Sequence, residues 1–128
     1  MKLFKHKNIF VKNSPEERFG VYTSVFIARD TLIEECHFVT VGDGLDNETI
    51  KGYMYNYESP SGVNKQIIPL GYGAIYNHND SPNVNMYIDY NRELMIFVTS
   101  KNIFKGEQLY IDYGPDFSLR LRAKSLYE

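Results

Sequence analysis

This amino-acid sequence predicts a mainly β domain, and three observations carry the prediction. Short runs rich in β-branched and aromatic residues recur along the chain, separated by clusters of Gly, Pro, Asn and Asp. Aromatic residues make up 15% of the 128 residues, with 11 Tyr, 8 Phe and no Trp, a set that packs well on pleated surfaces. Residues 85–99 read as a hairpin, with Leu94, Ile96 and Val98 facing one way and Met95, Phe97 and Thr99 the other. The length suits one compact domain and not two, so residues 1–128 are taken as a single domain. Pattern alone favours a sandwich or barrel.

Each element has its own reason. Ile9, Phe10 and Val11 form a first strand, stopped by Asn13-Ser14-Pro15. Residues 19–28 (FGVYTSVFIA) are extended because they mix β-branched and aromatic types. Arg29-Asp30-Thr31 reads as a turn, followed by two strands at 32–35 and 37–41. Gly42-Asp43-Gly44 breaks the chain again. Residues 46–57 are ambiguous: Asp46 or Asn47 can cap a short helix with Glu48 in its first turn, while Gly52 opposes a long one. Residues 58–65 read as a loop, Asn91-Arg92 as the hairpin bend, and Lys105-Gly106 as a turn before a last strand at 109–113. Residues 117–127 are compatible with a terminal helix capped by Ser118, which makes 118–128 a C-terminal tail.

Charge and composition exclude several function classes. A net charge of -2 and a pI near 5.9 do not support nucleic-acid binding, which needs a basic patch. A mildly acidic surface suits a basic partner, such as a lysine-rich segment. Cys36 is the only cysteine, so neither an internal disulfide nor a four-cysteine zinc site is available. It reads as a small buried hydrophobe and not a nucleophile. His6 and His37 have no accompanying carboxylate–histidine cluster, so no metal is expected, and Lys5, His6 and Lys7 read as a solvated terminus. No apolar run approaches a membrane span, and residues 1–10 lack the apolar core of a signal peptide. The expectation is a soluble intracellular protein of the cytoplasm or a host nucleus.

Two stretches stand out: residues 70–83 (LGYGAIYNHNDSPN) and, farther along, residues 106–114 (GEQLYIDYG). Taken singly, each has an ordinary reading. Asn77-His78 is a turn with a satisfied histidine, and Asp112-Tyr113-Gly114 is a strand end. Phe19-Gly20 is a turn, and Tyr53 and Phe117 are core aromatics. Arg18-Phe19-Gly20-Val21-Tyr22, Leu32-Ile33-Glu34-Glu35-Cys36 and residues 50–55 (IKGYMY) add three further segments. Their joint order and separation resemble the SET-domain protein lysine methyltransferases. The likeness is to the compact stand-alone viral and bacterial type, a bare catalytic domain without zinc-binding cysteine clusters.

That resemblance implies a fold of several small sheets around a knot-like C-terminal crossing. It implies S-adenosylmethionine as cofactor and a protein lysine as methyl acceptor, in a histone tail or another basic protein. Asn77 would hold the amino-acid end of the cofactor and the His78 backbone its adenine edge. Arg18, Phe19 and Gly20 would form the cofactor loop, with Gly20 allowing close approach. Tyr113 would touch the cofactor and, with Tyr53, serve catalysis, its hydroxyl beside the moving methyl. Phe19, Tyr53, Ile111 and Phe117 would line the lysine channel. Such a channel suits the chemistry: in-line displacement needs collinear reactants, and an apolar channel favours the neutral amine. Aromatic faces still tolerate the cation.

The chain departs from the family pattern at four places. Arg18 stands where many members carry glycine, Asn79 where serine is usual, and Ala74 where many animal members have arginine. Ile111 stands where many have Phe or Tyr, which leaves the number of methyl groups open. No cysteine-rich segment follows Tyr113, so Phe117 and the tail, or a second subunit, must close the channel. Small viral relatives pair, and a homodimer is expected here. Two rival readings are a peptide-binding module of the same fold without catalysis, and a structural assembly domain that binds no cofactor.

Overall fold

Nine strands and no helix make up the described residues (2–16, 18–41, 54–58, 64–89 and 91–112) of the computed structural model. They are β1 (Ile9–Asn13), β2 (Phe19–Thr23), β3 (Leu32–Val41), β4 (Tyr55–Glu58), β5 (Asn64–Pro69), β6 (Asn77–His78), β7 (Val84–Asp89), β8 (Leu94–Thr99) and β9 (Gln108–Ile111). One sheet has the order β1-β2-β9-β6 and the other β4-β5-β3-β8-β7. This is a mainly β architecture, as the aromatic and β-branched runs predict. The expected terminal helix, the Gly42-Asp43-Gly44 break and any helix starting at Asp46 or Asn47 lie outside the described residues.

Several elements differ from expectation, each for a local or tertiary reason. The extended run 19–28 ends at Thr23, whose Oγ1 donates to the Val25 carbonyl (2.8 Å) and accepts from its N–H (3.2 Å). That side-chain turn competes with the ladder. The two strands expected at 32–35 and 37–41 are one, β3, with a bulge between Leu32 and Glu34. Its first part pairs with β8 and Phe38 to Val41 pair with β5, so a change of partner replaces the expected break. Strand β5 was not expected, because its pattern (NKQIIP) alternates only weakly. Ladders on both sides, to β4 and β3, hold it extended. Glu58, Asn64 and Lys65 are therefore strand residues and not loop.

The β7–β8 hairpin runs in register from Val84↔Thr99 to Asp89↔Leu94. Its bend is tied by Asp89, whose carboxylate accepts from Arg92 N (3.0 Å) and Arg92 Nε (2.8 Å). Met95, Phe97 and Thr99 share one face, as the alternation predicts, and that face is buried, while Ile96 and Val98 on the other are half-buried. Leu94, on the same face as Ile96 and Val98, is buried as well. The N-terminal segment docks along β3: Glu35 N–H donates to the Phe4 carbonyl (2.8 Å) and His6 N–H to that of Ile33 (2.7 Å). Lys5 is thus not a loose solvated residue; it bridges to Glu34.

The core gathers Ile33, Ile67, Tyr76, Met95, Phe97, Ile103, Leu109 and Ile111, with Tyr76 stacked on Phe97 at 4.6 Å between ring centroids. One carboxylate sits among them. Glu34 is 1% exposed, and its Oε1 accepts from the Tyr76 hydroxyl (2.8 Å) and its Oε2 from Tyr72 N–H (3.0 Å). Gly71 (φ 72°) passes over it; a Cβ there would lie 2.6 Å from Glu34 Oε2. Cys36 is buried, as expected of a small hydrophobe. No helix among the described residues is long and apolar enough to cross a membrane.

Burial first, and then the Glu34 charge, push the Cys36 thiol and the Tyr76 phenol upward. Groups raised on folding contribute stability below their unfolded pKa and lose it as pH climbs past that value. Urea midpoints should therefore fall between about pH 7 and about pH 10.5, where unfolded thiols and phenols ionise. A midpoint unchanged over that interval would refute the assignment.

Candidate functional site

Three separated stretches meet on β9. Strand β6 pairs with it in parallel, Asn77↔Tyr110 and His78↔Ile111. Strand β2 pairs with its other edge, Val21↔Leu109 and Tyr22↔Gln108. A parallel pair needs a long crossover, which the β7–β8 hairpin and its flanking turns provide. Beyond β6, Asn83 acts as a single-residue strand: its Nδ2 donates to the Gln108 carbonyl (2.9 Å) and its Oδ1 accepts from Tyr110 N–H (2.7 Å).

Asn77 is 2% exposed, and three acceptors surround its Nδ2: Gln108 Oε1 (2.8 Å), the Phe19 carbonyl (3.1 Å) and Ser14 Oγ (3.3 Å). A carbonyl only accepts, so the amide orientation is fixed with NH₂ on this side and Oδ1 on the other. Gln108 is held in turn. Its Nε2 lies 2.9 Å from the Tyr110 hydroxyl, 3.1 Å from that of Tyr22 and 3.4 Å from Glu16 Oε2. The Tyr110 hydroxyl donates to Glu16 Oε1 at 2.6 Å. Burial pushes the Glu16 carboxyl up, but hydrogen bonds from Tyr110, Ser14 and Gln108 outweigh it and hold the group below its ordinary value. Burial and then Glu16 raise both the Tyr110 and Tyr22 phenols. At neutral pH the site therefore contains an ionised Glu16 and two protonated phenols.

His78 is half-buried, with Nε2 2.8 Å from Asp80 Oδ1 and Nδ1 3.8 Å from Asp112 Oδ1. The Asn79 N–H donates to the Ile111 carbonyl at 3.0 Å, which carries the parallel pairing one step further. Asp112 is the residue before Tyr113, so the histidine of one motif faces the end of the other.

The family profile of the SET domain matches residues 18–114. This chain belongs to the SET-domain family. The SET domain is also similar to a solved Plasmodium falciparum structure described as a "putative histone methyltransferase". That likeness has a TM-score of 0.70 and 30% identity, over 86% of this chain and 96% of that chain. No curated protein matches the chain.

Within this SET domain the residues named from sequence have different settings. Asn77 and His78 lie on β6, and Phe19 and Gly20 on β2, with the Phe19 carbonyl bonded to Asn77. The open side of Gly20 is filled by protein: a Cβ there would lie 2.2 Å from Gln108 Oε1 and 3.1 Å from Asn77 Nδ2. Its missing side chain thus admits the amide pair. Arg18 is half-buried, and its carbonyl accepts from both Ser14 N and Ser14 Oγ at 2.7 Å. Phe19 is 52% exposed, whereas Ile111 is fully buried in the core. Tyr53, Tyr113 and Phe117 lie outside the described residues, as does the passage of the chain beyond Asp112 that the knot-like crossing requires.

Glu16, Asn83, Gln108 and Tyr110 were missed by sequence reasoning. Gln108 and Tyr110 had a usable signal, since they alternate with the core residues Leu109 and Ile111 on one short strand. Glu16 and Asn83 had none, because they stand in turns beside proline. SET-domain methyltransferases use S-adenosylmethionine, whose amino-acid end carries an ammonium donor. The site fits that group: Asn77 has its NH₂ engaged and an acceptor oxygen on the opposite side. Among the described residues no group of His, Cys, Asp and Glu is placed to hold a metal ion.

Proposed function

We propose that this SET domain methylates a lysine side chain in a basic protein, with a histone tail as the first class to test and S-adenosylmethionine as donor. The observation that carries the reading is the parallel β6–β9 pairing, which sets Asn77 beside the strand leading to Tyr113. The likeness to a structure described as a "putative histone methyltransferase" supports the substrate class. When bound, the cofactor supplies an electrophilic methyl group on a sulfonium. The chain supplies the rest. Asn77 Oδ1 accepts from the ammonium, and the His78 backbone reads the adenine edge. Tyr113 and Tyr53 orient the amine, and Phe19, Tyr53, Ile111 and Phe117 form an apolar channel that favours its neutral form. The protein acts inside the cell as a homodimer, the second copy helping to close the channel.

Basic proteins incubated with the full chain and cofactor should gain methyl groups on lysine by mass spectrometry. Tyr113→Phe should lower kcat about a hundredfold or more while leaving cofactor affinity nearly unchanged. Cofactor binding without turnover on a broad panel would instead identify a peptide-binding module. Absence of both would point to an assembly domain. Light scattering at the monomer mass would refute the dimer.

A further inference from the structure

The polar cluster beneath the cofactor motif reaches beyond the residues that would touch cofactor. Glu16 comes from the turn after β1, Gln108 and Tyr110 from β9, and Asn77 from β6. A carboxylate only accepts hydrogen bonds, whereas an amide has one donating and one accepting end. Ionised Glu16 therefore dictates which way Gln108 points: Nε2 turns toward Glu16 and the two phenols, and Oε1 toward Asn77. Gln108 Oε1 then draws the Asn77 NH₂, and the Phe19 carbonyl reinforces the choice. Reversing Gln108 places its NH₂ against that of Asn77, and reversing Asn77 places its oxygen against Gln108 Oε1 and the Phe19 carbonyl, in a site where Asn77 and Gln108 are 2% and 7% exposed.

We propose that Glu16, through Gln108, is a positioning residue that turns the Asn77 carbonyl oxygen toward the cofactor's ammonium group. The inference rests on the S-adenosylmethionine reading above. Glu16 and Gln108 act through another residue and are not catalytic. The relay also gives Gly20 its purpose, since only a residue without a side chain leaves room for the Gln108 amide.

Two single variants and their combination test the relay in the full chain. Glu16→Gln replaces an acceptor-only carboxylate by an amide that can turn either end toward Gln108, so position 16 no longer dictates the Gln108 orientation, and Gln108→Glu sets a carboxylate against Glu16. The double variant reverses both polarities: the introduced amide donates to the introduced carboxylate, whose second oxygen still accepts from Asn77. Two quantities are read: calorimetric affinity for S-adenosylmethionine, and cofactor-free hydrogen exchange of the Asn77 side-chain NH₂ by NMR. Each single variant should weaken affinity about tenfold or more and speed the exchange. The double variant should recover both to within about threefold of wild type, which general damage to packing would not do. Single variants that match wild type, or a double variant whose losses simply add, would overturn the relay. A wild type that protects the Asn77 amide yet takes up no cofactor would instead overturn the cofactor reading, and with it the relay's purpose.

Discussion

Glu34→Ala is expected to lower the free energy of unfolding by about 3–5 kcal/mol, from two lost buried acceptors and the void left behind. Glu34 is 1% exposed and anchors three groups from other parts of the chain. Its oxygens accept from the Tyr76 hydroxyl at 2.8 Å and Tyr72 N–H at 3.0 Å, with Lys5 Nζ at 3.8 Å. Truncation would leave a buried phenol and a backbone amide without that acceptor, and a void under Gly71 and Cys36. Lys5 matters less, because its side chain is 43% exposed and solvent screens it. Glu34→Gln keeps the volume and an oxygen for Tyr72 N–H but exchanges the carboxylate that accepts from the Tyr76 hydroxyl for an NH₂, so a smaller loss of about 1–3 kcal/mol is expected. Urea denaturation of the three proteins measures the difference. An alanine variant within about 1 kcal/mol of wild type would show that the carboxylate is dispensable. The consequence reaches the site, since Tyr76 is the residue before Asn77 and its stacking on Phe97 sets the start of β6.

Gly20→Ala should be the most damaging small change at the site. The new Cβ would lie 2.2 Å from Gln108 Oε1 and 2.8 Å from its Cδ. A long side chain usually swings away from such a clash. Here Gln108 is pinned on its far side by Tyr110, Tyr22 and Glu16, so retreat breaks those bonds. The expected cost is about 1–3 kcal/mol of stability, as for overpacking in general. Cofactor affinity should fall about tenfold or more, because Asn77 loses the acceptor that orients it. Gly106→Ala is the control. A Cβ there meets nothing within 4 Å, and only its φ of 87° is strained. It should lose about 1–2 kcal/mol of stability with cofactor affinity unchanged. Calorimetry and thermal melting together separate the two variants. Equal affinities for both would remove Gly20 from the site.

Several features were readable along the chain because they depend only on neighbours. The shared face of Met95, Phe97 and Thr99 follows from alternation on an extended strand. The turns at Asp30 and Gly106 follow from residues that tolerate positive φ. Family membership was also readable, since the order and spacing of Phe19-Gly20, Asn77-His78 and Asp112-Tyr113 are linear properties of the polymer. Strand β5 was not readable, nor was the continuity of β3, because both depend on which strands lie alongside.

The chemistry of the site divides the same way. The motifs that carry the family resemblance implied Asn77 as a ligand for cofactor. They did not say what holds it, because Gln108 is 31 positions away and Glu16 lies 94 from the Tyr110 it grips. A hydrogen bond over such a span leaves no trace in either neighbourhood; it exists only once β9 has slotted between β2 and β6. Folding alone brings a charge, two phenols and two amides together around the buried Asn77 and Gln108, where each must find its complement or be costly.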